Sequence, residues 1–473
     1  MKALVIALNA RYTHSSLAIR YLRNALEDAS AASGLALSVE LRDYHITQPR
    51  LEIVRDIAAA EPDLLFFSTY IWNAELVGAV LPDVKALLPG CGIVLGGPEA
   101  GHDAAAWLAA HSEVDLVVRG PGESAAGILA AAGFRLDSFP GRTLVAPPVA
   151  FSSVPFPYRE ADFLALEKRY LYYESSRGCP FHCSYCLSSR EDQALDEKDA
   201  ATVMGEIGEM MAHAPYLIKF VDRTFNVHPE RARELWRTLI LRFADAGTRF
   251  HFEVHPALLA EDDFSILANA PEGLFQFEIG VQTVHARTRS AIHRNGDWDR
   301  ERAAIQRLVA LGTVHMHLDL IAGLPGEGMN ELRCSFDEVM SLGVQQLQLG
   351  FLKGLPGTEL REDASGFGAI FQKMPPYEVL ETDALSSADL AELKRIEELV
   401  DGIANSGRFG KAMGTAAGSL GGWFAAYRDL SAYCARTGFD VRTRNGEKLG
   451  ALLDSWKDGH GEGGGPVSPP QPE

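Results

Sequence analysis

The chain has 473 residues, 47% hydrophobic and 23% charged, with 63 acidic against 44 basic side chains and a net charge of −19. That balance suits a globular protein of about three domains. It excludes a collagen-like fibre, a globally disordered chain and a disulfide-dense miniprotein. It argues against a general nucleic-acid or anionic-membrane surface, while leaving room for a local basic site.

The N-terminal apolar run KALVIAL is cut short by Asn9-Ala10-Arg11, and no apolar stretch approaches 18 residues. Neither a signal segment nor a membrane span is expected, and a cytoplasmic location is.

The first 145 residues alternate strand and helix. KALVIALN, LALSVELRDY, DLLFFSTY, GIVLGGPE and VDLVVRGPGE read as five strands, with helical stretches between them. Continuous apolar runs mark strands buried on both faces, and the alternation predicts an α/β, doubly wound parallel sheet. No GxGxxG follows the first strand, so the dinucleotide fingerprint is missing. Ligands of such sheets bind at the carboxyl ends of the strands. The candidates there are Asn9, Ser68, Thr69, Gly96, Gly97, Gly120, Gly122 and Glu123.

Residues 146–165, rich in Pro and Ser at their start, read as a linker. Residues 166–365 alternate again. YLYYESSRG, PYLIKFVDRTF, RFHFEVHP, LFQFEIGVQT, VHMHLDLIAGLP and QQLQLGFLK are six candidate strands. Six strand–helix units predict a partial barrel, two units short of a closed eight-stranded one. Residues 366–458 read as a small helical domain, led by an amphipathic helix with a Ser cap. Residues 459–473 are low-complexity, and disorder is expected there.

Three of the six cysteines sit together, in Arg177-Gly178-Cys179-Pro180-Phe181-His182-Cys183-Ser184-Tyr185-Cys186. Cys91, Cys334 and Cys434 are scattered and are expected to be core thiols. Thiolates bind iron–sulfur clusters, usually four to a cluster. Three in one loop can hold three irons and leave the fourth open. The alternatives are a zinc site, which needs a fourth ligand, or three plain thiols.

This C-x3-C-x2-C loop, with an aromatic before its last cysteine, resembles the radical SAM superfamily over about residues 170–353. The resemblance implies a [4Fe-4S] cluster on Cys179, Cys183 and Cys186 whose open iron chelates S-adenosylmethionine (SAM). One electron then cleaves the sulfonium to a 5′-deoxyadenosyl radical. It is closest to the subgroup that includes oxygen-independent coproporphyrinogen oxidases and many cobalamin-binding members. Matched to that subgroup, Tyr173 contacts SAM and Tyr185 lies near adenine. Asp222 and Arg223 stand where Gly-Gly-Glu usually meets the SAM amino group, with the glycines missing. Glu253 resembles the SAM-binding glutamate, and Gln282 belongs to a GVQ motif that reaches SAM. Arg294 pairs with the SAM carboxylate, and Asp319 in DLIAGLPG meets the ribose.

A Rossmann-like domain ahead of such a barrel is similar to the cobalamin-binding radical SAM class. NARYTHSSLAIRYL, YYESSRGCPFHCSYCLSS and the helical C-terminus resemble one family within it, whose C-terminal part is a domain of unknown function. Asp43-Tyr44-His45 is a poor match to a cobalt-ligating Asp-x-His-x-x-Gly, and His14 is a weaker candidate. The cobalamin is therefore expected base-off, without a protein histidine. The resemblance implies methyl transfer to an unactivated carbon of a small molecule, and a flavodoxin or ferredoxin as electron donor. A rearrangement, cyclisation or oxidation without methyl transfer, and a non-catalytic sensor, are the other readings. His255, Asn226 and Lys353 could face substrate.

Overall fold

The computed structural model describes residues 1–189 and 194–461. The N-terminal part is an all-parallel sheet in the order β2-β1-β3-β4-β5-β6. Its strands are β1 (Lys2–Asn9), β2 (Ser38–His45), β3 (Leu64–Ser68), β4 (Gly92–Gly96), β5 (Leu116–Arg119) and β6 (Thr143–Val145). Leu4, Ile6 and Leu8 enter one hydrophobic cluster, and Ala3, Val5 and Ala7 enter another on the opposite face. Helices therefore cover both sides, as the continuous apolar run requires. The sixth strand was not expected; β6 is a three-residue edge too short to carry a periodic signal.

Residues 146–165 do not hang free. Phe151 is fully buried beneath the cations of Arg177 (4.7 Å to the ring centre) and Lys198 (5.4 Å). Arg23 donates to both carboxylate oxygens of Asp162 at 2.8 Å, fastening this segment to the first helix of the chain.

The second parallel sheet runs β14-β13-β12-β11-β10-β7. Its strands are β7 (Leu171–Tyr173), β10 (Leu217–Phe220), β11 (Arg249–Glu253), β12 (Phe275–Gln282), β13 (Val314–Ala322) and β14 (Gln346–Phe351). A two-residue antiparallel pair, β8 (Ser176–Arg177) with β9 (Asp196–Glu197), brackets the cysteine loop. Along β12 and β13 buried and half-buried residues alternate strictly. The apolar set (Phe275, Phe277, Ile279, Met316, Leu318, Leu320) packs under the helices. The polar set (Gln276, Glu278, His315, His317, Asp319) lines a solvent-reachable lumen.

The barrel is open between β7 and β14. The loop after β1 lies against β7. Tyr170 N donates to Thr13 O at 2.7 Å, Ser15 Oγ donates to Tyr170 O at 2.7 Å, and His14 Nδ1 is 2.6 Å from the Tyr172 hydroxyl.

The C-terminal helices share the barrel's hydrophobic cluster. Ser386 and Asp389 form a capping box on the helix Ser387–Ile403, and Asn405 bonds both backbone groups of Leu347 on β14. The helix Gly410–Leu420 was not expected. Its three glycines disfavour helix, and it forms by burying Met413 and Ala417. The last helix reaches Gly461, into the expected tail; residues 462–473 lie outside the described residues. Cys91 and Cys434 are buried as expected, but Cys334 is exposed, because it falls on the outer face of the helix Met329–Ser341.

Candidate functional site

The cysteine loop leaves the carboxyl end of β7. Cys183 is buried and the other two thiols half-buried. Burial raises the Cys179 thiol above its ordinary pKa, and the nearness of Cys186 and Cys183 adds to the rise. The loop is pinned by Ser184 N to Ile292 O (3.1 Å) and Leu360 N to Ser184 O (3.0 Å). The first bond brings Arg294, two residues beyond Ile292, to the loop, where its guanidinium donates to the Cys183 sulfur. Tyr185 bonds the same sulfur, and burial raises its phenol.

Glu253, Glu278 and Asp319 meet at the lumen on adjacent strands. The register pairs Glu253 with Glu278, Glu278 with His317, and Gly280 with Asp319. Burial raises Glu253 to about 7 against the pull of Arg223, and Glu278 adds to the rise. Asp319 is raised well above the usual range by burial, then by Glu278 and Glu253. Glu278 is also buried, yet it falls to about 2, because His251 (2.9 Å) and His317 favour its charge. One of three neighbouring carboxyls is thus firmly ionised and two are reluctant. Gln282 closes β12 with a left-handed φ of 68°. Its amide folds back over Gly280, where a Cβ would collide with Nε2. Among the described residues, Gln282 Oε1 and Arg294 Nε are buried without a hydrogen-bond partner, while Asp319 Oδ1 lies 3.3 Å from His317 Nε2.

Other expected residues are placed apart from this set. Tyr173 is buried on the opposite face of β7, and its hydroxyl donates to Glu206 at 2.5 Å. Tyr172 takes the lumen side, in register with Lys219. Asp222 is buried and accepts from Ser175 N (3.1 Å), Ser175 Oγ (2.6 Å) and Ser176 Oγ (2.5 Å), so it holds the lead into the cysteine loop. Arg223 is exposed on the barrel's mouth; burial raises the Tyr70 phenol of the first sheet, and Arg223 is near enough to oppose that rise.

At the first sheet's edge Asn9 donates to Asp43 (2.9 Å) and Thr69 Oγ1 to Gly96 O (2.6 Å). Gly97 adopts φ 94°, and a Cβ there would lie 2.5 Å from Thr69 O. Gly120 is similar against Ala146 O. These two glycines serve strand crossings of the sheet itself. Ser68 lies half-buried at the end of β3, and Gly122 starts the helix that follows β5. Glu123 is 3.0 Å from Arg177, which also holds Glu174 at 2.9 Å. His255 stacks on Phe181 of the cysteine loop at 5.0 Å, and burial lowers it to about 4, keeping it neutral.

Sequence reasoning missed Lys219, His251, His317, Tyr172 and His14 as lumen groups. Lys219, at the level of Tyr172 and His251, acts electrostatically on Glu253, Glu278 and Asp319. Period-2 alternation carries the signal for His251 and His317, each two residues before an expected carboxylate on its strand, and for Lys219, four before Arg223; Tyr172 and His14 carry no such signal. Trp72 was also missed: 45% exposed, it stacks on Tyr70 at 4.3 Å and donates from Nε1 to Leu8 O at the end of β1 (3.2 Å).

Family models match in the same order. Residues 3–130 match the B12 binding domain, 173–339 the radical SAM superfamily, and 365–457 a protein family of unknown function (DUF4080). The chain thus carries a radical SAM domain with a B12-binding domain in front of it. It is 26% identical to 2-(S-pantetheinyl)-carbapenam-3-carboxylate methyltransferase of Streptantibioticus cattleyicolor, over 59% of this chain and 45% of that protein. It is 25% identical to the cobalamin-dependent radical SAM methyltransferase TokK of Streptomyces tokunonensis, over 58% and 44%. The chain thus covers less than half the length of these relatives. Its fold is that of TsrM from Kitasatospora setae, solved with cobalamin and a [4Fe-4S] cluster, at TM-score 0.62 and 14% identity over 98% and 100% of the two chains. Among the described residues no helix is long and apolar enough to cross a membrane.

The residues present fit the groups that radical SAM and B12-binding domains hold. Among the described residues no three His, Cys, Asp or Glu side chains gather around one ion. A cubane asks instead for thiolates spread over three corners. The orphaned Gln282 oxygen and Arg294 N–H, with the Asp319 carboxyl beside His317, offer acceptors and a donor to a zwitterionic, ribose-bearing ligand. The exposed Trp72 ring, held at the carboxyl edge by its Nε1 bond to Leu8 O at 3.2 Å, offers a flat apolar shelf of the kind a macrocycle needs.

Proposed function

We propose that this chain is a cobalamin-dependent radical SAM methyltransferase acting on a small molecule. The observation that carries this reading is the ion bridge Glu123–Arg177–Glu174. It ties the carboxyl edge of the B12-type sheet to the residue that enters the cysteine loop, so the two cofactor-binding edges face one another.

Bound together, the [4Fe-4S] cluster, SAM and cobalamin supply an electron, a 5′-deoxyadenosyl radical and a transferable methyl group. The chain's own part is to hold and orient. Cys179, Cys183 and Cys186 hold three irons. Arg294, steadied by Cys183, takes the SAM carboxylate. Glu253, poised near neutrality, ionises when an ammonium arrives. Gln282 and Asp319 accept from the amino group and the ribose, and Tyr185 lies beside adenine. Asn9, Ser68, Thr69, Gly96 and Gly122 form the corrin shelf, with Trp72. Asp43-Tyr44-His45 lacks the glycine of a cobalt-ligating Asp-x-His-x-x-Gly, so the cobalamin is read as base-off, with no protein imidazole on cobalt. A flavodoxin or ferredoxin delivers the electron.

The test is anaerobic purification from cells fed cobalamin, with iron, sulfide and corrin quantified. About four irons and one corrin per chain are expected. A cluster without corrin would sink the methyl-transfer reading and leave the radical SAM one. With reductant and a methyl acceptor, S-adenosylhomocysteine and 5′-deoxyadenosine should both form. Formation of 5′-deoxyadenosine alone would favour a rearrangement or oxidation.

A further inference from the structure

The geometry points to a second ligand site, an anion-binding cavity shaped by all three parts of the chain and suited to the phosphate or diphosphate group of a small molecule. The cavity holds about 480 Å³ and is lined by Arg11, Gln346, Asp401, Arg408, Arg442 and Arg444, among others. Arg11 follows β1 of the B12-type sheet, and Gln346 opens β14, the free edge strand of the barrel. The remaining four lie on the C-terminal helical region.

Its charge is unlike that of the chain. Four guanidinium groups meet two carboxylates. Arg444 pairs with Glu398 (2.6 Å) and Asp401 (2.8 Å), and Arg442 stands 4.0 Å from Glu398. Among the described residues neither Arg11 nor Arg408 has an ion-pair partner, and Arg408 lies across the N-terminus of the helix Gly446–Gly461, where a Cβ on Gly446 would strike it. In a protein of net charge −19, gathering like charges around a hollow is unfavourable unless an anion fills it. All four cations are arginine, whose fork matches phosphate oxygens in pairs. The volume lies within the range of small-molecule pockets, about 300–1,000 Å³. The site lies at the amino end of β14, whereas the cysteine loop leaves the carboxyl end of β7. It does not rest on the methyltransferase reading.

The experiment is calorimetric titration of the full, cluster-loaded chain with inorganic pyrophosphate at low salt. One saturable site per chain is expected. Arg408→Glu and Arg11→Glu should each weaken it at least about tenfold, since a hydrogen bond to a charged group carries about that factor. Added salt should weaken it further. Circular dichroism and cluster absorbance check that the variants fold. If a variant fails to fold, phenylglyoxal labelling of the unaltered chain decides: pyrophosphate should slow modification of Arg11 and Arg408. Absence of a saturable site, binding by both variants as tight as that of the unaltered chain, unprotected arginines, or tighter binding of single-stranded RNA through the same residues would each overturn the proposal.

Discussion

The two parallel sheets use the same strand–helix unit to opposite ends. β1 hides residues on both faces, so nothing chemical can sit along it and its polar groups collect at the carboxyl tip. β12 and β13 hide every second residue and turn the others into a lumen. The first sheet is a scaffold with one working edge; the second works along its length. A substitution inside β1 should therefore cost stability alone. One on the lumen face of β13 should cost ligand affinity alone.

The largest expected effect tests whether the two halves load independently. Cys183→Ala removes one of three iron ligands and should abolish 5′-deoxyadenosine formation, while corrin retention stays near one per chain. Loss of corrin together with iron would mean that the first sheet cannot hold its ligand without the loop.

A paired test follows. Ile6 and Asp319 each lie within a strand of their sheet. Ile6→Ala should destabilise the fold by about 2–5 kcal/mol, through lost burial and a cavity, without changing SAM affinity in the molecules that remain folded. Asp319→Asn should leave the melting temperature nearly unchanged, because burial already disfavours the charged form of that carboxyl, yet weaken SAM about tenfold. If both variants lose stability and neither loses affinity, the lumen of β13 is only core.

Glu253 gives a pH signature. Its folded pKa of about 7 exceeds the ordinary 4.5, so the folded state keeps a proton that the unfolded chain releases. Stability should fall as pH rises from about 4.5 to 7, with the whole penalty present above 7. Glu253→Gln should then stabilise the SAM-free protein by about 1–2 kcal/mol at pH 8, allowing for partial exposure, and not at all near pH 4. It should also weaken SAM. Melting curves at the two pH values check the first claim, and a flat difference would refute it.

The same contrast explains what the sequence could and could not tell. All six barrel strands were legible, because alternation writes lumen and core into every second residue. The short β6 and the glycine-bearing helix Gly410–Leu420 were not, since packing rather than local preference forms them. Tyr173 shows the limit of motif matching. β7 has only three residues, too few to fix its parity. Its pairing with Lys219 and Phe220, 47 residues away, turns Tyr172 inward and Tyr173 outward. Asp222 stood at the right strand end, but two serines ahead of the cysteine loop claim both its oxygens. The Glu123–Arg177 bridge joins residues 54 apart, and no local pattern announces it.

That bridge supplies the smallest effect and the sharpest test of how the two sheets are joined. Removing Arg177 would leave Glu174 without its cation, and burial already raises that carboxyl. The damage would spread beyond the junction. Glu123→Gln is gentler, because Arg177 keeps Glu174 and its place over Phe151. A part-buried pair of this kind contributes about 0.5–1 kcal/mol, so melting should shift only slightly and SAM cleavage should stay within about twofold. The loss should appear instead as looser docking, with faster hydrogen exchange in the segment before Cys179 and in the helix that begins at Gly122. Unchanged exchange in both places would mean that the buried contacts of Phe151 and of Arg23 with Asp162 hold the halves together, and that Glu123 is free to meet a ligand after all.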